Sequence, residues 1–167
     1  RAAQTGKISK LKGFGSKMQE AILTNIAFAE ESSQRIVITD ALIQAELLRT
    51  YLAEAPFINQ LELAGSARRW KETIGDIDFL CTSKSPDKCI DLFSKYPPTK
   101  RILAQGKPKA SIVLDTGLQC DFRVVEADSY GAALMYFTGS KEHNVRHREL
   151  AQQKGLTLNE YGLFKAS

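Results

Sequence analysis

A chain of 167 residues that is 43% hydrophobic and 25% charged can bury one globular core or two small ones, which excludes a disordered polyelectrolyte. No run of about 18 apolar residues occurs, so no membrane-spanning helix is encoded and no membrane partner is expected. The formal net charge of +4 suits a polyanionic partner without demanding one.

Residues 1–34 contain Leu11-Lys12-Gly13-Phe14-Gly15, then a predicted helix to about Glu31 with Met18, Ile22, Ile26 and Ala29 on one face. The h-x-G-h-G spacing before a helix fits a helix-hairpin-helix. There Gly13 and Gly15 let backbone N–H groups approach a DNA phosphate, and Lys7, Lys10, Lys12 and Lys17 add attraction that ignores base sequence. A plain tight turn between helices uses the same glycines. Glu31-Ser32-Ser33-Gln34 is a polar break. A helix is expected to start near Thr39-Asp40, with Leu42, Ile43, Leu47, Leu48 and Tyr51 as its apolar stripe and Pro56 beyond its end.

After Pro56 the pattern turns strand-like: Asn59 to Ala64, ending at Gly65-Ser66, then Asp76 to Cys81. A helix is predicted from Pro86 to Phe93. Strands follow at Lys100 to Gln105, Ser111 to Leu114 and Leu118 to Val125, with Asp115-Thr116-Gly117 as a hairpin turn. Helical periodicity returns from Asp128, is interrupted at Thr138-Gly139-Ser140 and ends near Gly155. The tail Leu156 to Phe164 is expected to be extended. This order predicts an α+β fold, a mixed sheet backed by helices and flanked by two helical pieces. Cys81, Cys89 and Cys120 form no CxxC pair, and an odd number without zinc spacing predicts reduced, buried thiols in a cytoplasmic protein.

Gly75-Asp76-Ile77-Asp78 is the most informative stretch. Residues i and i+2 of a strand share a face, so both carboxylates project together while Ile77 and Phe79 point into the core. Asp121 lies on a later strand and supplies a third carboxylate if the strands are neighbours. Three such groups can hold two divalent ions about 3.5–4 Å apart, the clamp used for attack on phosphorus. Taken alone, a DxD can also be a solvated strand end balanced by Arg123 or Arg69. Upstream, Gly65-Ser66-Ala67-Arg68-Arg69 offers a glycine turn, a hydroxyl and a guanidinium pair suited to phosphate. A Gly-Ser turn, an arginine pair and a strand Asp-x-Asp is the layout of the nucleotidyltransferase signature. His143 and His147 are four apart on a predicted helix, but no third ligand for zinc is evident.

Gly65-Ser66-Ala67-Arg68-Arg69 through Gly75-Asp76-Ile77-Asp78 resembles the palm motif of the family X DNA polymerases, and Tyr136-Phe137-Thr138-Gly139-Ser140 resembles that family's sugar-selecting segment. The resemblance covers nearly the whole chain and is to bacterial members in particular. It implies a palm over residues 35–127, a fingers piece with the hairpin over 1–34, and the start of a thumb over 128–167. It also implies that Asp76, Asp78 and Asp121 bind two Mg²⁺ ions, for which Mn²⁺ can substitute, with Asp121 nearest the primer 3′-hydroxyl. Gly65, Ser66, Arg69 and Gly75 would then hold the triphosphate, with Arg35 reaching it too. Tyr136 and Phe137 would crowd the sugar, Gly139-Ser140 would form the turn beside it, and Asn144 and Arg148 would face the nascent pair and template. The implied activity is DNA-directed DNA synthesis in gap-filling repair by a monomeric chain, on primer-template or gapped DNA and a dNTP. Gln119 stands where animal members often have an arginine that restrains the third carboxylate. Other nucleotidyltransferases on the same palm, acting on RNA ends or small molecules, and a non-catalytic DNA-binding module are the alternative readings. The three intact aspartates weigh against the last. With Arg1 opening the sequence, the chain is expected to be part of a longer protein. Its two histidines cannot supply the His-rich exonuclease domain that bacterial members often carry.

Overall fold

The computed structural model describes residues 5–9, 13, 15–20, 22–23 and 35–166, and the chain divides into two compact units, Arg1–Gln34 and Arg35–Ser167. In the first unit, residues 16–20 and 22–23 are helical. The Gly15 carbonyl accepts from the N–H groups of Met18 and Gln19, each at 3.1 Å, as a helix start requires. Gly13 has a φ of +89°, a conformation that costs glycine little. Lys17 is exposed. Leu11, Lys10, Lys12, Phe14, Ile26 and Ala29, which the hairpin and its helix face invoke, lie outside the described residues.

The second unit begins with β1 (Ile36–Val37) and α1 (Ile38–Ala53). Then follow β2 (Leu61–Leu63), the single helical turn α2 (Gly65–Arg68), β3 (Thr73–Ile74) and β4 (Asp76–Thr82). Helix α3 (Pro86–Ser94) leads into β5 (Thr99–Gly106), β6 (Lys109–Leu114) and β7 (Gln119–Val125). A 3₁₀ turn (Ala127–Ser129) precedes α4 (Tyr130–Thr138), α5 (Lys141–Gln153), and the hairpin β8 (Leu156–Asn159) and β9 (Gly162–Lys165). The main sheet is five-stranded, in the order β2-β4-β7-β6-β5. Only β4 and β7 are parallel, and the others pair antiparallel, so the sheet is mixed and the fold α+β. Parallel neighbours need a long crossover, and here α3 and the β5–β6 hairpin provide it.

Alternation along β4 and β7 sends Ile77, Phe79, Cys81, Cys120, Phe122 and Val124 to one face. They pack there against Ala45, Leu48 and Leu52 of α1 and against Cys89, Ile90 and Phe93 of α3. Phe93 and Phe122 stack with ring centroids 4.9 Å apart, and both are fully buried. A smaller cluster of Ala41, Ala67 and Ile74 fixes the short turn α2 and the two-stranded β1–β3 pair beside the sheet. That pair was not expected, because strands of two residues leave no periodicity to read. The three cysteines are free and buried. Burial pushes the Cys81 and Cys120 thiols up, so they act as small apolar residues.

Helix α1 turns a different face to the core from the one its leucines and isoleucine suggest. Its buried residues are Ala41, Ala45, Leu48 and Leu52, whereas Ile43 and Leu47 are 59% and 55% exposed. The helix is apolar over most of its circumference, so packing rather than hydrophobicity selects the face, and the small alanines permit close approach to the sheet. Adjacent leucines should therefore behave oppositely. Leu48→Ala is expected to cost about 2–5 kcal/mol by the loss of buried contacts and the cavity left behind, and Leu47→Ala within about 0.5 kcal/mol of zero. Urea unfolding of the two variants measures both values, and comparable losses would mean that α1 is rotated from the position described.

Candidate metal centre and phosphate pocket

The parallel register of β4 and β7 puts Asp78 opposite Asp121 and Asp76 opposite Gln119, all on the face turned away from the core. Carboxylate oxygens of Asp76, Asp78 and Asp121 lie within 4.8 Å of one another. Each residue is half-buried. Burial, and then the charges of Asp76 and Asp121, push the Asp78 carboxyl from its ordinary 3.8 to about 7, with Arg123 and Lys109 partly offsetting them. Burial and Asp121 raise Asp76 as well, while Arg35 and Arg69 work against them. Three hard oxygen donors that repel one another in a partly desolvated patch suit a divalent cation, whose charge would relieve the repulsion.

Gly65 makes room for this arrangement. Its φ is +59°, and a Cβ built on it would overlap the Asp78 carboxyl group. The Ala64 N–H donates to the Asp78 carbonyl at 2.8 Å, so the turn α2 is tied directly to the strand that bears the acids.

A cavity of about 740 Å³ opens beside the acids. Asp76, Asp78, Gly65 and Ser66 line one part of it, and Arg35, Arg69, Lys71, Lys141 and Arg148 supply positive charge around it. Arg35 donates from Nε to Thr73 Oγ1 at 2.9 Å and from Nη2 to the Thr73 carbonyl. A Cβ on Gly75 would come 3.2 Å from Arg35 Nη1, so this glycine keeps the guanidinium close. Arg69 donates to the Thr138 carbonyl, and a Cβ on Gly139 would come 3.1 Å from its Nη1. The first glycine-arginine motif and the second aromatic-glycine motif therefore share one pocket.

Tyr136 and Phe137 lie in the last turn of α4 and also line the cavity. Their rings meet edge to face with centroids 5.2 Å apart, and the Phe137 ring carries the Arg123 guanidinium 4.3 Å from its centroid. Gly139 has a φ of +72°, its bond to Ser140 is cis, and Ser140 caps α5 by accepting from the His143 N–H. Asn144 lines the cavity while its Nδ2 donates to the Tyr136 carbonyl at 2.6 Å. Gly13, Gly15 and Lys17 belong to the other compact unit. The rings of His143 and His147 lie tilted to each other with centroids 4.0 Å apart, and among the described residues no third ligand joins them.

Three cations were missed in the sequence. Lys71 and Lys141 border the pocket, and Lys109 lies 3.5 Å from Asp121 Oδ2. Lys71, two residues after Arg69, carried a positional hint, whereas Lys109 needs strand register to be seen. Gln119 donates to Asp121 Oδ1 at 3.1 Å, so the residue standing in place of an arginine still restrains the carboxylate. Trp70 follows the arginine pair and is not packed in the core. It is 73% exposed at φ +56°, where α2 ends, beside a smaller cavity bordered by Arg35, Arg69 and Lys71.

Comparison with known proteins follows the same lines. A family model described as the DNA polymerase beta thumb matches residues 133–167. The DNA polymerase/3'-5' exonuclease PolX of Bacillus subtilis is 32% identical over 164 residues, which cover 97% of this chain and 29% of that protein. DNA polymerase lambda of Rattus norvegicus is 32% identical over 122 residues, 61% of this chain and 21% of that protein. The chain thus spans less than a third of the length of these curated relatives. Among solved structures, the ternary gap complex of Leishmania infantum polymerase beta superposes with a TM-score of 0.76 at 22% identity, covering 98% of this chain and 60% of that one. The ternary P/T complex of the same polymerase gives 0.73 at 22% identity, covering 94% and 77%. These likenesses carry the fold.

Burial and carboxylate crowding together set a pH signature. In the folded chain Asp78 keeps its proton up to about pH 7, whereas the unfolded chain releases it near 3.8, so stability without metal falls as pH rises across that interval. Asp78→Asn should therefore stabilise the metal-free chain by on the order of a few kcal/mol at pH 8 and hardly at all at pH 4. The same substitution should weaken divalent-cation binding. Thermal melts at both pH values check the first statement, and a pH-independent gain would count against the burial and crowding of a charged Asp78 as its cause. Gly65→Ala is expected to destabilise at every pH, because it meets both the positive φ and the Asp78 carboxyl.

Proposed function

Because this chain belongs to the family X DNA polymerases, we propose that it is the catalytic portion of a DNA-directed DNA polymerase that adds a deoxynucleotide to a primer 3′-hydroxyl. The observation that carries the reading is the triad Asp76, Asp78 and Asp121 beside a cationic pocket bordered by Ser66, Arg35 and Arg69. Gapped or primed DNA and a dNTP are the substrates, Mg²⁺ is the cofactor with Mn²⁺ as a substitute, and gap-filling repair in the cytoplasm is the setting. The helix-hairpin-helix at Gly13, Gly15 and Lys17 adds contact with the DNA backbone.

In the reaction the primer 3′-oxygen attacks the α-phosphorus of the dNTP, the bond to the bridging oxygen breaks, and pyrophosphate leaves. Divalent cations held by Asp76, Asp78 and Asp121 would neutralise phosphate charge and lower the pKa of the attacking hydroxyl. The remaining work is positioning, which dominates phosphoryl transfer. Asp76 and Asp78 present oxygens from one strand and Asp121 from its neighbour, on the primer side. Ser66 and the guanidinium groups of Arg69 and Arg35 hold the outer phosphates, and Gly75 lets Arg35 lie close. Tyr136 and Phe137, with the turn at Gly139-Ser140, close the pocket against the sugar. Asn144, anchored on the Tyr136 carbonyl, and Arg148 face the minor-groove edge, where readout is degenerate enough for a copying enzyme.

Primer extension by the full-length protein on gapped DNA tests the reading. Asp78→Ala and Asp121→Ala are expected to lower extension by at least about 100-fold, with gapped-DNA affinity nearly unchanged because it rests on cationic and backbone contacts elsewhere. Near-normal extension by either variant, or untemplated addition by the wild type, would refute the assignment.

The aromatic pair yields a second expectation. Tyr136→Ala should raise ribonucleotide relative to deoxynucleotide incorporation by roughly tenfold, since removing a clash helps only the excluded sugar. Phe137→Ala should lower efficiency with both sugars, because its ring also holds Arg123. Comparing kcat/KM for dNTP and rNTP in the two variants separates these effects. An equal loss on both sugars in Tyr136→Ala would assign that ring to packing alone.

A further inference from the structure

Asp121 differs from the other two acids in that both its oxygens are already engaged. Gln119 Nε2 donates to Oδ1 at 3.1 Å, and Lys109 Nζ lies 3.5 Å from Oδ2. The antiparallel register of β6 and β7 explains this. Lys109 is opposite Arg123 and Ser111 is opposite Asp121, so Lys109 reaches Asp121 as a diagonal neighbour on the same sheet face. The Asp121 side chain is 13% exposed and that of Lys109 38%. Among the described ion pairs the others have carboxylates at least half exposed, where solvent leaves little net attraction. Of the described pairs, the Lys109–Asp121 pair has the carboxylate least screened by solvent.

We propose that Lys109 is a positioning residue that holds Asp121 while no divalent cation is bound and yields it when a cation arrives, so that ammonium and metal compete for the same carboxylate. The proposal rests on the reading of the triad as a cation site. An ion bound by Asp121 places two positive charges close to an ammonium group that contacts the same side chain. Each therefore lowers the affinity of the other, and linkage makes the effect reciprocal. In the absence of metal, Lys109 offsets part of the repulsion among three clustered acids and keeps Asp121 beside β4. The ammonium thus stabilises the empty arrangement and raises the cation concentration needed to fill it.

Mn²⁺ titration of the chain without nucleotide, followed by the paramagnetic resonance signal of the free ion at low ionic strength, tests this independently of activity. Lys109→Met is expected to lower the Kd for Mn²⁺ about five- to tenfold. It should also melt at lower temperature than the wild type without metal and gain more on saturation. Lys109→Arg, which keeps the charge, should bind Mn²⁺ as the wild type does. Asp121→Asn serves as the reference for loss of the ligand. An unchanged or raised Kd in Lys109→Met, with or without a lower melting temperature, overturns the competition and leaves the cation site standing. Failure of the wild type to bind Mn²⁺, or binding unaltered by Asp121→Asn, overturns the cation reading and the proposal together.

Discussion

Repulsion among three carboxylates on a half-buried patch organises the outer face of the sheet. Asp76, Asp78 and Asp121 sit close because β4 and β7 are parallel neighbours in a register that no side chain can adjust without moving a strand. The sheet in turn is held by Ile77, Phe79, Cys120 and Phe122 beneath it, packed on α1 and α3. Core packing therefore supplies the energy that keeps like charges together. Around the acids stand Arg35, Arg69, Lys109 and Arg123, each contributed by a different segment, and each lowers the cost of that crowding while leaving room for a ligand of opposite charge.

The two motifs read separately in the sequence are mechanically joined in the structure. Arg69 comes from the turn that follows β2, yet its guanidinium is committed to the Thr138 carbonyl at the end of α4. Arg123 comes from β7 and lies on the Phe137 ring. Asn144 of α5 returns to the Tyr136 carbonyl. The Arg69 and Asn144 contacts satisfy carbonyl groups that a helix end leaves without partners. All three contacts place the aromatic pair relative to the acids, and two of the side chains, Arg69 and Asn144, themselves border the pocket. A shift of α4 would be felt first at Arg69 and Arg123.

Much of this was legible from spacing. The i, i+2 aspartates had to share a face, and the apolar residues between them had to point into a core, whatever the sheet order. The Asp115-Thr116-Gly117 turn delimited β6 and β7, and Gly117 does take a positive φ there. What escaped depended on pairing. Lys109 lies twelve residues from Asp121, and only the antiparallel register brings their side chains together. The inward face of α1 escaped because alanine carries little hydrophobic signal while permitting close contact. The reason for Gly65 was visible only in part. The sequence suggested a tight turn near phosphate, whereas the structure adds that the missing Cβ is space taken by the Asp78 carboxyl group.

Trp70 has a practical consequence. It is the only tryptophan in the chain, and it stands in solvent beside Arg35, Arg69 and Lys71 rather than in the core. Its indole is already hydrated in the native state, so unfolding should change its emission little, and intrinsic fluorescence will be a poor reporter of stability for this unit. The same placement makes it a local optical probe. Light emitted beside Arg35, Arg69 and Lys71, which line both the smaller cavity and the larger cationic pocket, will respond to whatever alters charge or water there, so one native residue can follow ligand arrival without a label.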